Sequence, residues 1–119
     1  MTNYKLLYLD PNKAYVGRVR RHLGSSRADI DFYGETSISR GIQKLLESYF
    51  DLVITKPFSS TYLMLFKRVP ASQYGQVVVL SSKPYEYKGR KRRDIIFHRS
   101  FPFEHNLDII VNALLSKLT

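Results

Sequence analysis

The sequence predicts a single α/β domain in which helices cover both faces of a parallel β-sheet. Short apolar runs that suit buried strands alternate along the chain with amphipathic segments that suit helices. Residues that favour turns and helix caps separate these segments, so the connections are short. The chain has 119 residues, which is enough for one domain with one core. We therefore expect residues 1–119 to fold as one unit.

Five segments are predicted as strands because they join apolar and β-branched residues between turn or charged residues. The segment 52–55 is a short buried run that follows Asp51 and is itself followed by Lys56 and a proline. The segment 76–81, Gln-Val-Val-Val-Leu-Ser, is the clearest buried strand. The predicted strands span 5–9, 28–33, 52–55, 76–81 and 94–98.

Four segments carry apolar residues at helical spacing, and they span 11–23, 39–50, 61–69 and 106–118. In the first, Asp10 is the predicted cap, Pro11 the first helical residue and Gly24 the stop. The predicted buried stripe of the second helix consists of Ile42, Leu45, Leu46 and Tyr49.

The connection between the fourth and fifth strands differs from the others. Residues 83–93 hold basic residues and breakers but no apolar stripe, so the fourth helix is predicted to be short or replaced by a basic loop. Right-handed crossovers leave few ways to wind the remaining elements. The economical one is a flavodoxin-like, three-layer sandwich with a five-stranded parallel sheet in the order 2-1-3-4-5.

Composition excludes several classes of site. The chain has no cysteine, which removes disulfides and thiolate chemistry, and its three histidines lack the spacing of metal ligands. No glycine-rich phosphate loop is present, and no serine has a candidate base and acid beside it. We therefore predict no enzyme activity, no metal and no cofactor. With no apolar run of about 18 residues, a membrane is not an expected partner, and we predict a cytoplasmic protein.

Four motifs stand where strands end and helices begin. They are Leu-Leu-Tyr-Leu-Asp10-Pro-Asn-Lys, Asp51-Leu-Val-Ile-Thr-Lys56-Pro, Val-Val-Val-Leu-Ser81-Ser and Phe101-Pro-Phe-Glu. With these motifs the chain resembles, over nearly its whole length, the receiver domain of two-component response regulators. That resemblance implies a receiver-type sheet and a role in signal transduction.

The resemblance also implies a degenerate phosphorylation pocket. The acidic pair that ends the first strand in that family falls on Leu9 and Asp10, and the phosphate-accepting aspartate falls on Lys56. The serine or threonine that ends the fourth strand is Ser81. The family lysine before a proline falls on Phe101, or on Arg99 with a small insertion. The switch aromatic falls on His98, or on Phe97 with a slip of one residue.

Of the three acids that the family has in this pocket, only Asp10 is therefore present. A lysine stands at the position of the aspartate that is phosphorylated in the family. Magnesium prefers oxygen ligands, and a lone Asp10 facing an ammonium is a poor site for it. An amine also cannot form an acyl phosphate. We expect Lys56 to lie near Asp10 and to supply the positive charge that the metal would have supplied; the alternative is that Lys56 simply points to solvent. The chain would then be a pseudo-receiver that signals through phosphorylation-independent protein–protein interaction.

Two basic segments point to the partner. The formal net charge is +9, which favours an acidic protein face or a nucleic acid. One segment is the first helix, with Arg18, Arg20 and Arg21. The other is the loop, whose cations and aromatic residues are Lys83, Tyr85, Tyr87, Lys88, Arg90, Lys91, Arg92 and Arg93.

An acidic protein partner is the preferred interpretation of these segments. The alternative is a regulatory domain that binds nucleic acid through the loop and the first helix, with tyrosines stacking on unpaired bases. A loop that is only solvated, and a homodimer, stay open as well.

Overall fold

The protein contains a five-stranded parallel sheet in the order β2-β1-β3-β4-β5. The structure, a computed structural model, describes residues 3–26, 29–55, 68–81 and 95–99. The strands are β1 (Tyr4–Leu9), β2 (Ile30–Glu35), β3 (Phe50–Thr55), β4 (Tyr74–Ser81) and β5 (Ile95–Arg99). The described helices are α1 (Lys13–Ser26) and α2 (Ile38–Glu47). The predicted strand order is confirmed.

The register of the strands brings their carboxyl ends together. Leu9, the last residue of β1, pairs with Glu35 of β2 on one side and with Thr55 of β3 on the other. Thr55 pairs in turn with Val79 of β4. In an open α/β sheet this edge is where ligands bind, so the residues that follow these strands define the candidate site.

Alternate residues of β1 enter two separate cores, because successive side chains of a strand point to opposite faces. Leu6 and Tyr8 pack with the apolar face of α1, and Leu7 and Leu9 pack with that of α2. All four are buried. Helices α1 and α2 therefore lie on opposite faces of the sheet, as in a three-layer sandwich.

Helix α1 begins and ends later than predicted. The side-chain Oδ1 of Asn12 accepts hydrogen bonds from the backbone N–H groups of Ala14 and Tyr15, so Asn12 and not Asp10 caps the helix. The helix also continues through Gly24 to Ser26, and the predicted stop at Gly24 is wrong. A glycine allows a helix to end but does not force it to end, so the following residues can continue the helix.

Helix α2 is shorter than predicted, and half of its predicted buried stripe is exposed. Ser37 caps the helix, since its Oγ accepts a hydrogen bond from the backbone N–H of Arg40. Ile42 and Leu45 are buried, but Leu46 is 53% exposed and Tyr49 is 46% exposed. Leu46 lies about 100° around the helix from Leu45, and Tyr49 lies beyond the helix, next to β3.

Strand boundaries differ from the predictions by one or two residues, and a short 3₁₀ turn (Ala71–Gln73) occupies part of the loop predicted before β4. Strand β2 begins at Ile30, after the backbone carbonyl of Asp29 accepts a hydrogen bond from the N–H of Tyr4. The predicted third helix up to residue 67, the basic loop 83–93 and the helix predicted at 106–118 lie outside the described residues.

Candidate functional site

Asp10 lies directly after β1, at the carboxyl edge of the sheet. Its backbone N–H donates to the carbonyl of Glu35 at 3.2 Å, which extends the pairing of β1 with β2 by one step. The side chain is only 2% exposed. A carboxylate at such a position has lost most of its water, so its stability depends on the donors that the protein supplies.

Both oxygens of the Asp10 carboxylate accept a hydrogen bond. Tyr8 donates its phenol O–H to Oδ2 at 2.8 Å, and the backbone N–H of Asn12 donates to Oδ1 at 2.9 Å. Tyr8 lies two residues before Asp10 and so emerges on the same face of the strand. Both donors are neutral, and they hold the carboxylate in one orientation.

Burial raises the pKa of the Tyr8 phenol well above its ordinary value. The hydrogen bond to Asp10 and the negative charge of that carboxylate raise the same pKa further. Tyr8 therefore keeps its proton and serves only as a donor toward Asp10. The sequence reasoning missed this residue, although the two-residue spacing of Tyr8 and Asp10 on one strand was a signal for it.

The neighbouring position, where a second acid is expected from the resemblance, belongs to the core. Leu9 has no exposed surface and packs in the cluster beneath α2. A Cβ added at Gly41 of α2 would lie 2.5 Å from Leu9 Cδ2. Leu9 therefore fills the space between sheet and helix, and it does not face the same side of the sheet as Asp10.

The structure describes only some of the other residues that were predicted for the pocket. Thr55, the last residue of β3, is fully buried, and Lys56, which follows it, lies outside the described residues, as does Phe101. Ser81 ends β4 and pairs in register with Arg99, the last residue of β5. His98 lies one residue earlier on β5, an edge strand, and pairs with Leu80.

Glu35 is a second acid at this edge that the sequence analysis did not single out. Its carboxylate lies 3.6 Å from the Lys44 ammonium, so it faces α2 rather than α1. It also lines a surface cavity of about 230 Å³ together with Arg40, Gln43, Lys44 and Glu47. Among the described residues, no three histidine or acidic side chains come close enough to hold a metal ion.

The predicted basic face of α1 is exposed. Arg18, Arg20 and Arg21 all lie at the surface. The Arg20 guanidinium stands over the Phe32 ring at 5.4 Å from its centroid, and Phe32 stacks on Tyr8 with 6.3 Å between centroids. A continuous contact path therefore joins this face to Asp10. The basic residues of 83–93 lie outside the described part of the chain.

A second cation–aromatic cluster lies on the opposite face of the sheet. The Lys5 ammonium donates to Ser48 Oγ at 2.9 Å, and it lies 4.8 Å from the Phe50 ring centroid and 5.3 Å from that of Tyr33. Lys44 lies 5.4 Å from the same Tyr33 ring. These contacts hold β1, β2, β3 and α2 together. The residues that make these contacts are distant from one another in sequence, so no local sequence pattern predicted the cluster.

No helix in the described ranges is both long and apolar enough to span a membrane.

Comparison with protein-family models gives no match, and comparison with curated proteins gives none either. Among solved structures, the chain is similar to a response regulator receiver domain protein from Clostridium thermocellum, with a TM-score of 0.73 and 15% identity over 96% of this chain and 95% of that one. It is also similar to the two-component response regulator RcsB, solved as a complex with DNA, with a TM-score of 0.67 and 15% identity over 98% of this chain and 62% of that one. At this identity the likeness concerns the fold, and it confirms the predicted fold class.

Proposed function

We propose that this chain, which has the fold of response-regulator receiver domains, acts in signal transduction or regulation by binding another protein without accepting a phosphoryl group. It would work as a pseudo-receiver in the cytoplasm, without catalysis and without a cofactor. The observation that carries the proposal is the setting of Asp10, a buried acid that has Leu9 and not a second acid beside it and whose two oxygens each accept a hydrogen bond from a neutral donor.

The described end of β1 is poorly suited to magnesium. Magnesium is usually bound by one or two carboxylates together with phosphate and water. Asp10 is 2% exposed, and Leu9 supplies packing where the second acid would stand. The sequence places a lysine after Thr55, where acyl phosphate formation requires a carboxylate. These three features together argue against phosphoryl transfer.

Lys56 is proposed to supply the charge that balances Asp10. Within the described ranges no cation forms an ion pair with this buried carboxylate, and its two donors are neutral. Leu9 and Thr55 are the last paired residues of β1 and β3, and Asp10 and Lys56 follow them directly in sequence. A lysine at that position stabilises a carboxylate that has lost its water.

This pairing predicts energetic coupling between the two residues. Lys56→Met should lower the free energy of unfolding in the wild-type background by more than it does in an Asp10→Asn background, with a coupling of about 0.5–3 kcal/mol. Urea unfolding of the wild type, both single variants and the double variant measures it. A coupling near zero would show that Lys56 points to solvent.

Phosphoryl transfer is tested directly by mass. The protein, incubated with acetyl phosphate and magnesium, should keep its mass, whereas a receiver domain with the full set of acids should gain a phosphoryl group under the same conditions. Intact-mass spectrometry reads the result, and Asp10→Asn is the matched variant that locates any gain. A phosphoryl group on an aspartate of the wild type would overturn the proposal.

Nucleic-acid binding is the second candidate function. The exposed arginines of α1 favour it, as does the net charge of +9, and the similar RcsB chain was solved with DNA. This chain covers only 62% of that one, so the likeness does not assign the DNA contact to the shared part. Nucleic-acid binding would weaken steeply with salt, whereas a stoichiometric protein complex would survive nuclease treatment.

A further inference from the structure

A surface cavity of about 230 Å³ lies between the end of β2 and one side of α2. Its lining side chains are all polar or charged, and they are Glu35, Arg40, Gln43, Lys44 and Glu47. This volume is that of about eight water molecules in the liquid, at roughly 30 Å³ each. The cavity is therefore too small for a drug-sized apolar molecule and suits a small polar one.

A strand and a helix hold this cavity in place. The lining residues of α2 recur at helical spacing, so they lie on one side of that helix. Glu35 is the last residue of β2, where it pairs in register with Leu9 of β1. Helix α2 approaches the same strand closely, since a Cβ added at Gly41 would lie 2.5 Å from Leu9 Cδ2. A site built on such elements keeps its geometry better than one built on loops.

Two of the lining charges oppose the dipole of α2. Arg40 lies in the first turn, near the positive end of the dipole, and Glu47 is the last residue, at the negative end. Arg40 also stands four residues before Lys44, a spacing at which like charges repel each other. Only Lys44 lies at the end of the helix that favours its charge. The stability of the helix therefore does not account for Arg40 and Glu47.

Arg40 and Glu47 are also the two lining charges without an ionic partner in the described part of the chain. Lys44 and Glu35 balance each other, with 3.6 Å between the ammonium and the carboxylate. Glu47 Oε1 accepts a hydrogen bond from the neutral Gln43 amide at 3.3 Å. Across the ranges that the structure describes, no acid pairs with Arg40 and no cation pairs with Glu47. The cavity therefore offers a ligand one cation and one carboxylate.

We propose that this cavity binds a small zwitterion, whose carboxylate contacts Arg40 and whose ammonium contacts Glu47. The guanidinium can donate two parallel hydrogen bonds to a carboxylate, and the second oxygen of Glu47 can accept one from an ammonium. A ligand of one sign is disfavoured, because an anion would face both carboxylates of the cavity and a cation would face both of its basic groups.

The spacing of the two charges selects the length of the ligand. Arg40 and Glu47 are two helical turns apart, which is about 10 Å along the axis of α2. An extended dipeptide holds its terminal charges about 7 Å apart, and a hydrogen bond of about 2.8 Å at each end covers the rest. The ligand class is therefore a dipeptide or another amino carboxylate of that length.

Glycylglycine is the probe, and amide chemical shifts of the full chain measure its binding. We expect it to perturb residues 35–47 most, with shifts that saturate. Acetylglycylglycine lacks the ammonium and glycylglycinamide lacks the carboxylate, so each should bind at least about fivefold more weakly. Absence of saturable shifts with glycylglycine, or equal binding of all three peptides, would overturn the inference.

Variants of the two charges locate the site. Arg40→Gln and Glu47→Gln should each weaken binding of glycylglycine at least about fivefold, because each removes a charged contact. Arg68→Gln removes an exposed cation outside the cavity and should change binding by less than about twofold. Equal weakening by Arg68→Gln would overturn the inference, since net charge would then explain binding.

Reversal of both charges separates recognition from a structural role. Arg40→Glu/Glu47→Arg lets the zwitterion bind in the opposite direction, so its affinity should stay within about threefold of the wild type. The melting temperature without ligand should rise, because the new charges agree with the helix dipole. Loss of binding in this folded double variant would overturn the inference. None of these readouts involves Asp10 or Lys56, so failure here is distinguishable from failure of the pseudo-receiver proposal.

Discussion

At the scale of single residues, the carboxylate of Asp10 depends on a phenol two positions earlier in the same strand. Tyr8 is fully buried, and its O–H is one of two donors to a side chain that water hardly reaches. Tyr8→Phe keeps the ring and removes this donor. We expect it to lower the free energy of unfolding at pH 7 by about 1.5–3 kcal/mol, the usual contribution of a hydrogen bond to a charged group. Urea unfolding measures the change, and the exposed Tyr49→Phe is the matched control.

The same variant carries a pH signature. Because the pKa of Tyr8 is raised by folding, the folded and unfolded states both keep the proton below the unfolded value of about 10. Above that pH the unfolded chain loses the proton and the folded chain keeps it, so the stability of the wild type falls by about 1.4 kcal/mol per pH unit through this group. The free energy of unfolding of Tyr8→Phe should therefore fall less steeply between pH 10 and 11 than that of the wild type. An identical slope in both proteins would contradict the raised pKa.

At the scale of elements, two glycines on two helices should respond in opposite ways to alanine. Gly41→Ala in α2 puts a methyl group 2.5 Å from Leu9 Cδ2, and this overpacking should cost about 1–3 kcal/mol. Gly17→Ala in α1 meets only a flexible side chain at 3.6 Å, and it should stabilise the protein by about 0.5–1 kcal/mol. Thermal unfolding of both variants checks the pair. Equal shifts would show that helix propensity alone decides.

Element boundaries show where local sequence signals stop being sufficient. Asp10 and Asn12 are both good caps, and the choice between them depends on Asp10 being drawn to Tyr8 and to the N–H of Asn12. Leu46 and Leu45 fit an apolar stripe equally well by composition, but only Leu45 faces the sheet. Such choices depend on tertiary contacts, which residue spacing does not contain.

At the scale of the whole molecule, the strand order was predictable because it depends on few and strong constraints. Alternating strands and helices, short connections and right-handed crossovers leave little freedom, and both the 2-1-3-4-5 order and the division of β1 into two cores follow from them. The candidate site was predictable only in part. The position of Asp10 could be predicted from the end of the first strand. Its connection through Tyr8 and Phe32 to Arg20 could not, because it depends on contacts between β1, β2 and α1.

The packing of Leu9 against Gly41 limits which side chains residue 9 can take. A carboxylate placed at residue 9 would be desolvated between sheet and helix with no surface exposure, and it would point to the face of the sheet opposite to Asp10. A charged side chain at residue 9 would therefore require α2 to repack against the sheet.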